Sequence, residues 1–237
     1  MSVLSSHVVH IWHTRFEDHA EKYQLYQSWL APEEKIRAEK LTLHYQQKFI
    51  ISRAVLRDIL AYYSEQSPQD LKLSYSTSGK PSLINSDQCL EFNVSHSKNI
   101  LIYAFTLETP VGIDIEYIHH RNYLDKIAYR FFSASDYDRL QLLEPKKKLK
   151  EFFKAWVRNE AIIKAKGSLL KTHPYSRYEL RLSSNLDPSE YVKNEINTFY
   201  SISNLSLYSD FATAVALKGN KKSFIMKKYI KKLSLVN

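Results

Sequence analysis

The sequence predicts an α+β fold made of two similar halves facing each other across a cleft. Three observations lead there. An order of strand, helices and three strands is read twice along the chain, and the turn Glu108-Thr109-Pro110 marks a seam between the two passes. With 237 residues and 44% hydrophobic content, the chain can also bury a core large enough for both halves. The halves are expected over 1–110 and 111–237.

In the first half, residues 7–14 read as a short strand and 16–30 as a helix. Pro32, with Glu33 and Glu34 in the first turn, starts a further helical stretch, because a proline is tolerated there and acidic side chains complement the helix dipole. Apolar positions at Ile36, Leu41, Phe49, Val55, Leu56, Ile59 and Leu60 carry that stretch onward, with a break near His44. Strands follow at 71–75, 90–94 and 100–107. The second half opens on a β-branched strand over 111–118. Helices are expected at 123–132, 135–143 and 148–166, and strands at 178–182, 196–202 and 211–217. The tail beyond Asn220 carries lysine pairs interleaved with Phe224, Ile225, Tyr229, Ile230 and Leu233, which reads as a basic amphipathic helix or a frayed solubilising terminus.

Composition narrows the chemistry. Lys and Arg outnumber Asp and Glu by 34 to 25, a net charge of +9 that attracts anionic partners. Cys89 stands alone, so no internal disulfide can form and a reducing, cytoplasmic setting is expected. No apolar run reaches the length of a membrane span, and the first residues lack the pattern of a secretory signal. The four glycines, Gly79, Gly112, Gly167 and Gly219, are too dispersed for a glycine-rich phosphate loop. Any phosphate must therefore be held by side chains and metal.

Several short segments carry candidate chemistry. In VGIDIE at 111–116, Asp114 and Glu116 share one strand face while Ile113 and Ile115 point to the other, so two hard oxygen donors lie side by side. Helical spacing puts Trp156, Glu160 and Lys164 on one face. Gly79-Lys80-Pro81 is a turn with a cation at its centre, and FNVSHS at 92–97 is a strand ending on Ser95, His96 and Ser97. A Ser-His-Asp hydrolase from Ser95, His96 and Asp114 is disfavoured: neighbouring strand residues diverge, and no nucleophile elbow is present. Arg37, Lys48, Arg53 and Arg57 read mostly as surface or snorkelling cations.

In this order the segments resemble the 4'-phosphopantetheinyl transferase superfamily, in its two-domain surfactin-synthetase-activating type. The resemblance runs over about residues 30–170, through APEEK at 31–35, FIISRAVLR at 49–57, GKP at 79–81, FNVSHS, VGIDIE, RFFS at 130–133 and WVRNEAIIKAKG at 156–167. It implies a pseudo-twofold α+β fold with coenzyme A bound between the halves. Asp114, Glu116 and Glu160 would then hold Mg2+, with Glu160 also the general base and Lys164 and His96 stabilising the diphosphate. Lys80, Ser95, His96 and Lys164 would contact the coenzyme, and Arg37 and Lys48 its 3'-phosphate. The acceptor would be a serine of an acidic apo-carrier protein, approached near Phe131 and Phe132, by a monomeric enzyme that binds no nucleic acid. Asn159 stands where the family has lysine, with Arg158 one position earlier. The competing classes are a non-catalytic coenzyme A-binding relative and a basic nucleic-acid-binding module; no RNA-recognition, zinc-finger or helix-turn-helix signature accompanies the charge.

Overall fold

A computed structural model describes residues 4–77, 79–84, 89–167, 189–193 and 199–229. Strand β1 (Val8–Arg15) leads through a 3-10 turn (Phe16–Lys22) to helices α1 (Tyr23–Trp29), α2 (Pro32–Glu39) and α3 (Leu43–Ser64). Residues 16–30, expected as one helix, thus divide into the 3-10 turn and α1. A hairpin, β2 (Leu73–Tyr75) and β3 (Pro81–Leu83), precedes β4 (Leu90–Ser97) and β5 (Ile100–Leu107). The second half holds β6 (Val111–Tyr117), α4 (Leu124–Phe131), α5 (Ala134–Gln141), α6 (Pro145–Lys166), β7 (Ser189–Lys193), β8 (Phe199–Asn204) and β9 (Phe211–Lys218). β3 and β7 have no counterpart in the expectations, and the strand expected at 178–182 lies outside the described residues.

The duplication is visible in the sheets. In the first, β1 pairs with β5 and β5 with β4; in the second, β6 pairs with β9 and β9 with β8, so each half sets its opening strand beside its closing one. The two long helices, α3 and α6, each have 22 residues. Three cores result. One packs α1, α2 and α3 against Trp12, Phe92, Leu101, Tyr103 and Phe105. Another packs α6 against Ala212, Ala214 and Ala216. The third lies between the sheets, where Val9, Ile11, Ile102 and Ala104 meet Ile113, Ile115 and Val215.

The tail corrects one expectation. Ser223–Lys228 forms neither a helix nor a frayed end but a strand, β10, parallel to β1 at the edge of the first sheet. The segment from 223 to 229 therefore belongs to the sheet of the half that begins the chain, on the far side of the expected boundary at 110. Helical periodicity loses because β1 offers an open row of backbone groups, and filling that edge satisfies them. Tyr229 anchors the return: it is buried, its hydroxyl donates to Asp58, and its backbone N–H donates to the His13 carbonyl at 2.9 Å. Residues 230–237 lie outside the described residues.

Glu34 is the second organiser of the first half. It accepts from the Ala31 backbone at 3.0 Å, Arg57 Nε at 2.7 Å and the Tyr75 hydroxyl at 3.0 Å, and lies 3.3 Å from Arg53 Nε. Arg57 is only 1% exposed and also donates to the carbonyls of Pro68 and Leu71. It is a buried strut rather than the surface or snorkelling cation expected. Its full set of partners offsets the desolvation of the guanidinium.

Candidate functional site

The site is built where β4 meets β6, and side chains join them. Asn93, Ser95 and Ser97 occupy alternate positions of β4, so all three point the same way, toward β6. Asn93 Oδ1 accepts the Ile113 N–H at 2.9 Å, Ser95 Oγ donates to Asp114 Oδ1 at 2.7 Å, and Ser97 Oγ donates to Glu116 Oε2 at 3.0 Å while accepting the Tyr117 N–H at 3.0 Å. A polar zipper thus links the first half to the second and holds both carboxylates from behind. Ser97 was noted in the sequence only as part of the strand end, and Asn93 was given no role; the alternation N-x-S-x-S was the available signal.

The other face of β6 carries the expected division. Val111, Ile113 and Ile115 are fully buried between the sheets, leaving Gly112, Asp114 and Glu116 for α6 and the cleft. Gly112 permits the contact: a Cβ there would lie 2.0 Å from the Ala161 carbonyl oxygen and 2.4 Å from the Ala165 nitrogen. The backbone of α6 rests directly on the strand, which brings Lys164 over the carboxylates. Lys164 Nζ lies 2.7 Å from Asp114 Oδ1 and donates to Ser95 Oγ at 3.0 Å and to the Ile113 carbonyl at 3.2 Å.

Lys80 makes the matching contact two residues upstream, donating to the Val111 carbonyl at 3.2 Å and lying 3.8 Å from Glu91. Gly79, at φ +81°, makes the left-handed turn that precedes it. Burial lowers the Lys80 pKa, against the opposing pull of Glu91. Arg53, Lys80, Asn93, Lys164 and Gly167 together line a recess of about 240 Å³. Arg53 was among the cations read as surface charges; here it is held at this recess by Glu34 and lies over the rings of Phe49 and Tyr75, at 5.4 and 5.5 Å. Arg37 covers Phe49 as well, at 5.3 Å.

His96 occupies the opposite face of β4 from Ser95, exposed to solvent and in edge contact with Phe16 at 6.0 Å. The walls around it desolvate the ring, and Lys164 and Lys48 add positive potential, so its pKa falls below the usual histidine value despite Asp114. Glu116 moves the other way: burial and the neighbouring Asp114 raise its pKa, against Ser97, Arg121 and Lys164. Lys48 donates to the Lys98 carbonyl at 2.9 Å and lies 5.2 Å from the centre of the Phe16 ring. The structure thus puts Lys48 at the Phe16 end of the cleft, while Arg37 stands with Phe49 and Arg53. Ser95, Asp114 and Lys164 form one contact network, with Glu116 held next to Asp114 on β6 by Ser97 and with Lys80 at the adjoining Val111 carbonyl.

Glu160 is half-buried one helical turn before Lys164 on α6. Among the described residues, no three His, Cys, Asp or Glu side chains gather as a metal-holding group. Asn159 and Arg158 are both buried, at 2% and 7% exposure. Burial lowers the Arg158 pKa to about 10, against Asp136 and Glu151. Arg158 is thus packed in the interior of the second half rather than exposed on its surface. Phe132 is likewise buried, at 7%, and Phe131 is half-buried against Trp156; the exposed apolar side chains nearby are Tyr123, Tyr129 and Leu142.

Family models match both halves. Residues 110–216 match the 4'-phosphopantetheinyl transferase superfamily, and residues 14–107 match a model described as 4'-phosphopantetheinyl transferase, N-terminal. The chain belongs to the 4'-phosphopantetheinyl transferase superfamily, a class of enzymes. It is 30% identical to the 4'-phosphopantetheinyl transferase HetI of Nostoc sp., over 91% of this chain and 90% of that protein. It is 23% identical to the 4'-phosphopantetheinyl transferase Sfp of Bacillus subtilis, over 83% and 91%. The holo-[acyl-carrier-protein] synthase structure from Thermotoga maritima is 22% identical over 48% of this chain and 63% of that one, with a TM-score of 0.34.

Proposed function

We propose that this protein transfers the 4'-phosphopantetheine arm of coenzyme A to a serine of an acidic apo-carrier protein, in a Mg2+-dependent reaction that releases adenosine 3',5'-bisphosphate. The observation that carries the reading is the Asp114–Lys164–Ser95 network at the joint of the two halves, with Lys80 alongside. Together with Glu116, held by Ser97 on the same strand face, it supplies paired carboxylates and paired ammonium groups where a metal-bound diphosphate needs both.

The residues present fit a small hard dication. Asp114 Oδ2 is buried with no hydrogen-bond partner, and burial together with the charge of Asp114 raises the Glu116 pKa, so a dication between the two carboxylates would relieve both. Mg2+ usually takes one or two protein carboxylates, with substrate phosphates and waters completing an octahedron, so a three-carboxylate cage is not required. Asp114 and Glu116 would hold the ion, with Glu160 as a further donor. When bound, it would neutralise and align the diphosphate.

The chain's own groups do the rest. Lys164 and Lys80 bind diphosphate oxygens as point charges, and Arg53 and Arg37 favour the phosphorylated nucleotide. His96 donates a hydrogen bond to the leaving phosphate. Glu160 takes the proton from the serine hydroxyl as its oxygen bonds to the pantetheine-side phosphorus and the bond to the nucleotide-side bridging oxygen breaks. A positioned base of this kind contributes roughly 10²–10⁴-fold. On this reading the first half supplies the nucleotide side and the second the metal and carrier side. The net charge of +9 would speed encounter with an acidic carrier in a salt-sensitive way, with Tyr129 and Leu142 as exposed contacts. A cytoplasmic setting is supported by the lone Cys89; among the described residues no helix is long and apolar enough to cross a membrane.

The test is incubation with coenzyme A, Mg2+ and a panel of apo-carrier proteins, read by mass spectrometry. A carrier gaining one phosphopantetheine on serine is expected, and no product with any carrier overturns the reading. Glu160→Ala should cut the rate by roughly 10²-fold or more while preserving the melting temperature; full activity would remove Glu160 from the role of base.

A further inference from the structure

The N-terminal part of α6 presents an exposed face that the chemistry of the cleft does not use. Its first turn holds Lys146, Lys147 and Lys148 and no acidic residue, although the positive end of the helix dipole disfavours cations there. Lys148 has a role inside the half, since it ties α6 to α4 through Asp125 at 2.8 Å. Lys147, Lys150 and Lys154 recur at helical spacing, so they form one exposed stripe. Lys154 meets Glu151 at 2.8 Å, whereas Lys146, Lys147 and Lys150 have no ion pair among the described residues. Like charges spaced in this way weaken a helix, so helix formation does not explain them. An anionic partner would offset both costs.

Beside the stripe lies a pocket of about 320 Å³. Lys150 and Lys154 line one side, and the turn between β8 and β9 lines the other, with Asn204, Ser206 and Ser209 exposed on it. Ile118, Leu205 and Ala212 add apolar surface. A carboxylate side chain with an apolar neighbour finds what each needs here, ammonium and hydroxyl donors for the first and hydrocarbon for the second. The pocket also adjoins the cleft. Ile118 directly follows β6, two residues beyond Glu116, and Phe211 lines both this pocket and the cavity of about 730 Å³ between the halves.

We propose that the stripe of Lys147, Lys150 and Lys154, with the pocket beside it, is a docking surface for the acidic carrier protein. This rests on the protein being a transferase that acts on such a carrier. Charge selects the occupant, because the stripe is of one sign on a chain of net charge +9. The apolar part of the pocket favours a protein side chain over a sugar-phosphate backbone, which would leave it uncovered. Leu142, the exposed carrier contact of the second half, lies three residues before α6 begins, so the stripe extends that contact. Lysines act as flexible point charges, which speed encounter more than they hold a complex, and that suits a partner that must leave after each turnover.

The test is steady-state kinetics with an acidic apo-carrier at low and high salt, beside coenzyme A affinity by isothermal titration. Lys150→Glu combined with Lys154→Glu should raise KM for the carrier by roughly tenfold at low salt, the lower end of electrostatic steering, with kcat and coenzyme A affinity each within about twofold. The rise should shrink at about 1 M salt, where charges are screened beyond about 3 Å. Lys72→Glu combined with Lys218→Glu changes the net charge equally at exposed positions outside the stripe and should leave KM within about twofold. An equal rise there shows that net charge alone acts, and overturns the docking surface. Lys147→Glu guards against a folding defect: losing a cation from the first turn should hold or raise the melting temperature while still raising KM. Unchanged KM in both stripe variants of an active enzyme overturns the proposal and leaves the transfer reaction standing. If those variants instead lose a duplex-DNA gel shift with KM unchanged, the surface belongs to nucleic acid and the proposal fails. If the unsubstituted protein modifies no carrier, the transferase reading falls and the docking surface falls with it.

Discussion

Replacing Gly112 with alanine should open the joint between β6 and α6. The added methyl would sit 2.0 Å from the Ala161 carbonyl oxygen and 2.4 Å from the Ala165 nitrogen, both backbone atoms that cannot rotate aside. Contacts below 3.0 Å essentially never occur for a real Cβ, so helix and strand must separate by about 1 Å. Lys164 lies between those two residues, and its 2.7 Å contact with Asp114 would lengthen by a similar amount. Overpacking of this kind costs about 1–3 kcal/mol, and for a chain of this size each kcal/mol lowers the melting temperature by about 2–4 °C. Misplacing a catalytic group by about 1 Å can reduce a rate by roughly 10²-fold. The assays are a thermal melt and the carrier-modification rate. A Gly112→Ala protein with unchanged melting temperature and unchanged rate would refute the claim that this close approach sets the site.

Other outcomes follow from buried charges. Glu34→Gln removes the carboxylate that meets Arg57, Arg53 and Tyr75, leaving a buried guanidinium uncompensated. A loss of about 3–5 kcal/mol is expected in urea unfolding, and a loss under about 1 kcal/mol would show that the strut is dispensable. Stability should also fall in mild acid. Burial, aided by Lys227, holds His10 at about 4, and burial with Lys22, against Asp18, holds His19 at about 4. Between that value and the unfolded value of 6.5 the unfolded chain binds more protons. The stabilisation from the neutral rings is therefore complete above about pH 6.5 and lost as pH falls toward 4, by roughly 1–3 kcal/mol for each ring. A stability curve flat from pH 7 to 4.5 would contradict this.

Much of the fold was legible because it depends on local pattern. Alternating residues in VGIDIE put Asp114 and Glu116 opposite Ile113 and Ile115, as β6 does. The helix break near His44 appears as the gap between α2 and α3, and the repeated element order appears in the paired sheets. Pairing over long sequence distances was not legible. β10 reads locally as a basic amphipathic segment, and only the open edge of β1, more than two hundred residues earlier, makes it a strand. Arg57 has no local mark of burial, since its partner Glu34 is on another helix and its carbonyl acceptors are in the following loop.

The carboxylate pair is therefore a property of the sequence: period-two alternation in one strand is enough to put both groups on one face. What only tertiary structure decides is their company. Ser95 and Ser97 arrive from β4 in the other half, and Lys164 arrives from α6 because Gly112 lets a helix backbone rest on the strand. Local pattern sets which way a side chain points, whereas the groups it meets depend on contacts between segments that can form only once the whole chain has packed.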